Sequence, residues 1–104
     1  SVKAMEPFEN NSNNVNPKTS QLKFTFDKPL DNVPDNFLEK IKKGEHQIPE
    51  IKSFDLNSTQ TVLSLEIELQ PNQQYSFSLP GRLLNTDRGY QLKDFNVSFK
   101  TANN

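Results

Sequence analysis

Apolar and polar residues alternate strictly in four runs of the chain, and stretches containing Pro, Gly, Asn or Asp separate these runs. Residues 21–27 are typical, because Leu22, Phe24 and Phe26 interleave with largely polar side chains. Strict alternation is typical of a half-buried β-strand, so each run predicts one strand. The same pattern returns in three later segments, residues 60–69, 73–80 and 95–100.

Two further segments predict strands at the edges of a sheet. Residues 48–56 alternate less regularly, because Ile51 is out of phase with the later apolar positions and Pro49 removes a backbone donor. A bulged strand or an edge strand accommodates both features. The opening Val2-Lys3-Ala4-Met5 predicts a short edge strand that stops at Pro7.

One stretch follows helical rather than strand spacing. Asn32 can cap a helix, Pro34 is tolerated in a first turn, and Gly44 stands where a helix would stop. The spacing predicts a helix of one to two turns that crosses between sheets. The alternative is an extended loop whose Phe37 plugs the end of the sandwich. Three apolar residues share the face of the predicted helix: Phe37, Leu38 and Ile41.

Residues 10–17 are polar and rich in asparagine, yet they lie between two predicted strands. We interpret them as a wide loop anchored by its single apolar side chain, Val15. All the segments together predict an all-β, immunoglobulin-like sandwich of two antiparallel sheets. About seven strands are expected, with one short helix or loop crossover near residues 34–43.

Length, charge and cysteine content narrow the class of protein. With 104 residues, the chain is expected to be one domain (1–104) of a larger exported protein, with any signal peptide upstream. The formal net charge of −1 gives no field that would gather nucleic acid or anionic lipid. Cysteine is absent, which removes disulfides and thiolate chemistry. No apolar run approaches the roughly 18 residues of a membrane span.

The residues needed for catalysis are sparse. The single histidine, His46, lies in Gly44-Glu45-His46-Gln47, with no Cys and no Gly-x-Ser-x-Gly elbow in the chain. Spacing alone leaves a Ser-His-Asp arrangement open, but a solvated loop histidine is the preferred interpretation. Glu66 and Glu68 share the polar face of a predicted strand, where no cleft is expected. No catalytic residue and no cofactor are therefore predicted.

Metal and nucleic-acid sites are not indicated either. One histidine and scattered carboxylates match no transition-metal spacing, and an Asp-x-Asp-x-Asp-Gly calcium loop is missing from the sequence. Three lysines, Lys40, Lys42 and Lys43, are interpreted as the solvent face of the predicted helix, because stacking aromatic residues do not interleave with them.

Six short landmarks occur in a fixed order along the chain: Val2 to Pro7, Asn14-Val15, Leu22 to Asp31, Leu69 to Tyr75, Asp87 to Leu92, and Phe95 to Thr101. In this order they resemble the bacterial immunoglobulin-like domains of the fifth family. Two departures lie in one turn, where Asp87 is one residue closer to the glycine than in that family and Tyr90 stands where that family has Asn. The resemblance implies a sandwich fold in a string of modules on exported bacterial proteins, and no particular chemistry.

Two landmarks also predict local geometry. Tyr75 follows a Pro-containing corner near the start of a strand, which predicts a buried ring whose hydroxyl hydrogen-bonds back across the corner. Gly89 is expected to supply a positive φ in its turn.

The favoured function is a non-catalytic spacer in a secreted or cell-envelope bacterial protein, with neighbouring domains of the same polypeptide as partners. The isolated domain is expected to be a monomer without direct membrane insertion. The alternative is a module that binds protein or glycan through its loops, with Arg82, Arg88 and Tyr90 as contact residues. A stand-alone enzyme is the third and least favoured hypothesis.

Overall fold

The computed structural model describes residues 1–86 and 92–103, and its longer strands coincide with the alternating runs. Two single turns of 3₁₀ helix occupy Phe37–Lys40 and Gly81–Leu83. The strands of this part of the chain are β1 (Val2–Glu6), β2 (Gln21–Phe26), β3 (Leu30–Asn32), β4 (Lys42–Lys43), β5 (Glu50–Leu56), β6 (Val62–Glu68), β7 (Gln74–Leu79), β8 (Asn85–Thr86) and β9 (Phe95–Lys100).

Seven of these strands form the two layers of a sandwich. The larger sheet has the order β1-β2-β6-β5, and the smaller sheet has the order β4-β7-β9, with antiparallel neighbours throughout. Four strands on three in this order is the arrangement of constant-type immunoglobulin domains. β3 and β8 add a separate two-stranded ribbon. The predicted immunoglobulin-like sandwich is confirmed.

The core consists of the apolar residues that alternate along the strands. Leu22 and Phe24 of β2, Leu65 of β6 and Phe77 of β7 expose 1% or less of their surface, so the two sheets meet through these side chains. Each such burial contributes roughly 1.5–3 kcal/mol before the cost of ordering the chain. Phe95 differs from the other predicted core residues, because it is only half-buried at the start of β9.

The irregular alternation in residues 48–56 has the predicted cause. β5 is an edge strand of the larger sheet, and its register against β6 shifts between Ile51 and Ser53. This bulge explains why Ile51 is out of phase with the later apolar positions. Phe54 of β5 packs its ring edge against Phe37, with 5.6 Å between the ring centroids.

The short helix predicted near residues 34–43 is present as a single 3₁₀ turn, within the predicted one to two turns, but its predicted cap and stop residues are wrong. Only Phe37–Lys40 turn helically, and the preceding Asn36 makes no side-chain capping bond. Asn32 is not a cap, because it pairs with Asn85 in the β3–β8 ribbon. β4 pairs with β7 after the turn. Because β3 lies before the segment and β4 lies at its end, only one helical turn fits between the two strands. Phe37 is fully buried, as the loop alternative required.

The asparagine-rich segment lies along the outer edge of β9, and we call residues 10–15 the strap. Val15 is 4% exposed and forms a parallel bridge with Thr101. The remaining strap residues are half-buried or exposed. The prediction of a wide loop with one anchoring side chain is confirmed.

The two ends of the chain lie at opposite poles of the sandwich. Val2 pairs with Phe26 at the end of β2, and Ser1 lies beside Asp27; we call this end the Ser1 pole. Thr101 follows the end of β9 and bonds to the corner between β6 and β7; we call this end the Thr101 pole. The long axis of the molecule measures 43 Å, against 23 and 21 Å across.

Candidate functional site

Arg82 is the one predicted contact residue within the described ranges, and it lies exposed in the 3₁₀ turn Gly81–Leu83 at the Ser1 pole. The Gly81 N–H donates to Oδ1 of Asp94 over 2.8 Å. A Cβ at Gly81 would lie 2.2 Å from the Leu92 carbonyl oxygen, so only glycine permits this close approach. The turn is therefore fixed, and it presents Arg82 to solvent.

Arg88 and Tyr90, the other two predicted contact residues, lie outside the described residues, as does the predicted turn at Gly89. Whether Arg82 forms one surface with them stays a prediction.

An open hollow of about 490 Å³ lies at the Ser1 pole. Half-buried Val2, Leu92 and Phe95 contribute apolar surface, and Lys93 and Asp94 supply charges. Such a lining suits an apolar contact bordered by charges better than a highly charged ligand. The complete lining is Ser1, Val2, Phe26, Leu84, Leu92, Lys93, Asp94 and Phe95.

One exposed contact borders this hollow. The Ser1 hydroxyl donates to Oδ2 of Asp27 over 3.2 Å, so the start of the chain is held beside the end of β2. Both residues are exposed, so competition from water leaves this bond little weight in stability.

The Thr101 pole is held together by hydrogen bonds. The Tyr75 ring is buried, and its hydroxyl accepts a bond from the Gln70 N–H over 2.9 Å. The Thr101 hydroxyl donates to the Gln70 carbonyl oxygen over 2.6 Å and accepts from the Gln73 N–H over 2.9 Å. Asn72 turns the corner with φ of 56°. The predicted tyrosine corner is confirmed.

Within residues 1–86 and 92–103, no hydroxyl group hydrogen-bonds to the imidazole of His46. The carboxylate nearest to its Nε2 is that of Glu45, with Oε2 at 3.9 Å. The Ser76 hydroxyl is close to His46, but it accepts from the main-chain N–H at 2.5 Å and donates to the main-chain carbonyl oxygen at 3.3 Å. This serine therefore ties the residues after β4 to β7 through the main chain of His46.

The paired carboxylates of β6 are exposed and engaged with the neighbouring strand. Glu66 accepts from the Ser53 hydroxyl over 3.1 Å, and Glu68 lies 3.1 Å from the Lys52 ammonium. The Glu68 carboxylate raises the pKa of Lys52 above its usual value. Among residues 1–86 and 92–103, no cluster of three or more His, Asp or Glu side chains could hold a metal ion.

The predicted basic face of a helix takes a different form. Only Lys40 belongs to the 3₁₀ turn, whereas Lys42 and Lys43 form β4 and are both exposed there. Lys42 and Lys43 pair with β7 as a strand, so they do not continue the helical turn that contains Lys40. No helix in the described part of the chain is long and apolar enough to cross a membrane.

The strap contains a functional side chain that the sequence analysis missed. The Asn10 carboxamide donates to the Asn96 carbonyl oxygen and accepts from the Ser98 N–H, both over 2.8 Å. It thus replaces a peptide group at the edge of β9. No local pattern marks Asn10 among its neighbours, since both bonds reach across more than 80 residues of sequence.

No family model matches the chain, and no curated protein matches it. Among solved structures, the one titled "Structure of surface layer protein SbsC, domains 1-6" is similar over 97% of this chain. Sequence identity is 18% and the TM-score is 0.59. The chain spans 13% of the length of that surface layer chain, and the likeness shows a shared fold. The resemblance to the fifth family stays a prediction.

Proposed function

We propose that the chain is a non-catalytic structural module of a secreted or cell-envelope bacterial protein, in which it holds neighbouring domains at a set distance. The observation that carries this proposal is the position of the chain ends. Ser1 and Thr101 lie at opposite poles of a sandwich whose long axis is 43 Å. A module of this kind can be inserted in series and adds its own length to the array.

Both poles supply the stiffness that a spacer needs. Hydrogen bonds of Tyr75 and Thr101 fix the corner between β6 and β7, and the bond that the Gly81 N–H donates to Asp94 fixes the Gly81 turn. The hollow at the Ser1 pole is suited to an apolar side chain from a preceding domain. A neighbour seated there would limit bending between the two units.

The modular context rests on two likenesses. The landmarks of the sequence resemble those of the fifth family of bacterial immunoglobulin-like domains, and Tyr75 occupies the corner position in the structure. The solved structure of a surface layer protein has the same fold at the scale of one module. These likenesses support membership of that family and a location outside the cell or in the cell envelope, at the outer surface or in the periplasm, as parts of the proposal.

Spacing can be tested by placing the module between two folded reporter domains that carry spin labels. We expect a narrow distribution of label distances. A Gly/Ser linker of equal length is the control, because its root-mean-square span is about 55 Å with a broad distribution. A distribution as broad as that of the control would contradict the spacer role.

The non-catalytic character has its own test. Purified module should leave ester, peptide and glycoside substrates intact, and measurable turnover would contradict this part of the proposal.

A further inference from the structure

The strap forms a row of hydrogen bonds along the outer edge of β9. Six outward main-chain groups between Asn96 and Ala102 have a strap atom as their partner. The bonds are Asn10 Nδ2 to Asn96 O, Ser98 N to Asn10 Oδ1, Asn11 N to Ser98 O, Lys100 N to Ser12 O, Val15 N to Lys100 O and Ala102 N to Val15 O, all between 2.7 and 3.0 Å.

The strap has little apolar attachment to the rest of the fold. Val15 is its one buried side chain, and Asn11, Asn13 and Asn14 are exposed. Asn11 also holds φ at 68°, a left-handed conformation that asparagine tolerates better than most residues other than glycine. Opening the strap therefore exposes little apolar surface, and water can replace its hydrogen bonds.

An opened β9 edge is complementary to itself. In an antiparallel pair centred on Ser98, the Ser98 residues of two copies face each other and Asn96 lies opposite Lys100. The residues that face outward belong to hydrogen-bonded pairs, so three pairs with two bonds each give about six bonds. Lys100 is the only charged residue of β9, so no like charges meet across the pair.

We propose that β9 is a pairing edge for a second copy of this chain, and that the strap keeps this edge closed. With the strap closed, each chain has six hydrogen bonds at this edge. A pair of open chains shares about six such bonds, which is half as many for each chain. The intact protein therefore remains a monomer, and release of the strap joins two small sheets into one.

The test compares the full chain with the double variant Asn10→Ala/Asn11→Pro by sedimentation velocity over a wide concentration range. Proline at position 11 cannot adopt the native φ and has no N–H, so the strap should stay open. We expect a monomeric parent chain and a dimeric variant. A folded variant that stays monomeric would overturn the proposal, and so would a parent chain that dimerises equally well.

Matched substitutions at Asn96 identify the edge that pairs. In the open-strap background, Asn96→Lys places a lysine opposite Lys100 twice in the dimer, whereas Asn96→Glu places an opposite charge there. Asn96 also accepts a hydrogen bond from the Ser78 hydroxyl, so the free energy of unfolding of each monomeric variant is measured beside its association. We expect Asn96→Glu to dimerise about tenfold more tightly than Asn96→Lys. Equal affinities would locate the contact elsewhere and overturn the proposal.

Hydrogen exchange on the parent chain gives a readout that does not depend on a variant folding. The outward amides of Ser98 and Lys100 should exchange together and faster than the inward amides of Val97 and Phe99, which face β7. Equal protection of the two sets would show that the strap does not open separately, which would overturn the proposal.

Discussion

The edges formed by β9 and β5 are protected in different ways. The strap covers β9 and bonds to six outward main-chain groups between Asn96 and Ala102. β5 has no strand beyond it, and among the described residues its main chain bonds only within the larger sheet. It has instead a bulge between Ile51 and Ser53 and exposed charges at Lys52 and Asp55.

The difference shows that one fold can protect two strand edges from pairing with other chains in two different ways. Unpaired strand edges invite pairing with other chains, and both covering and charging an edge discourage it. A covered edge can be opened again, whereas a bulged and charged edge is unsuited to pairing in every state. The two edges should therefore respond differently to substitution, and the following predictions test that contrast.

The largest expected effect is on the free energy of unfolding, when a core aromatic side chain is removed from β9 or from β5. Phe99 of β9 is 3% exposed and packs against Tyr75 and Phe8, with ring centroids 5.4 and 4.7 Å away. Phe99→Ala should lower the free energy of unfolding by about 4 kcal/mol. Phe54→Ala on half-buried β5 should cost about 2 kcal/mol, since less surface is lost. Urea denaturation measures both, and equal costs would mean that β5 is anchored as firmly as β9.

The next effect concerns the strap. Asn10→Ala removes both bonds of the carboxamide to β9 and should cost about 1–2 kcal/mol in the free energy of unfolding. The control is Asn13→Ala, because Asn13 is exposed and makes no hydrogen bond in the described structure; it should change stability by less than about 0.5 kcal/mol. If the two variants are equally stable in urea, the carboxamide does not hold the strap.

Removing the charges of β5 should affect association rather than stability. The double variant Lys52→Val/Asp55→Val makes the open edge apolar, so we expect concentration-dependent association in light scattering. The control is Lys23→Val, because Lys23 is equally exposed but lies on β2, whose two edges are already paired. Association of both variants to the same extent would indicate non-specific hydrophobic association rather than pairing at the β5 edge.

The smallest effect is a pH dependence at the same edge. The pKa of Lys52 lies above its ordinary 10.5, chiefly because Glu68 accepts a hydrogen bond from its ammonium group. A raised pKa stabilises the fold at pH below 10.5, and this contribution disappears as the pH rises through the folded value. Glu68→Gln should therefore lower Tm slightly at neutral pH and leave it unchanged at strongly alkaline pH. A difference that persists above that range would have another cause.

The long strands and the tyrosine corner were predictable because their signals are local. Alternation over six or seven residues identifies a half-buried strand, as in β2 and β6. Tyr75 reaches an N–H only five residues away, so a Pro-containing corner ahead of it is sufficient to predict the bond. The bulge in β5 was readable for the same reason, since a single residue out of phase reports it.

The short strands and the edges were not predictable in this way. β4 and β8 have two residues each, which is too few for any period to show, and only their pairing with β7 and β3 makes them strands. Arg82 is exposed, but the turn that holds it could not be predicted from the sequence. The Gly81 N–H in that turn donates to Asp94, which is 13 residues further along the chain.

The sequence by itself determined that this chain folds as a sandwich, because an oily residue at every second position has to be buried between two layers. Only the tertiary structure decided which strand became an edge and what covered it. Asn10 meets β9 across 86 residues of chain, and such a contact depends on the position of the whole sheet. Periodicity determines which face of a strand is buried, whereas protection of an edge depends on which segments the fold brings beside it.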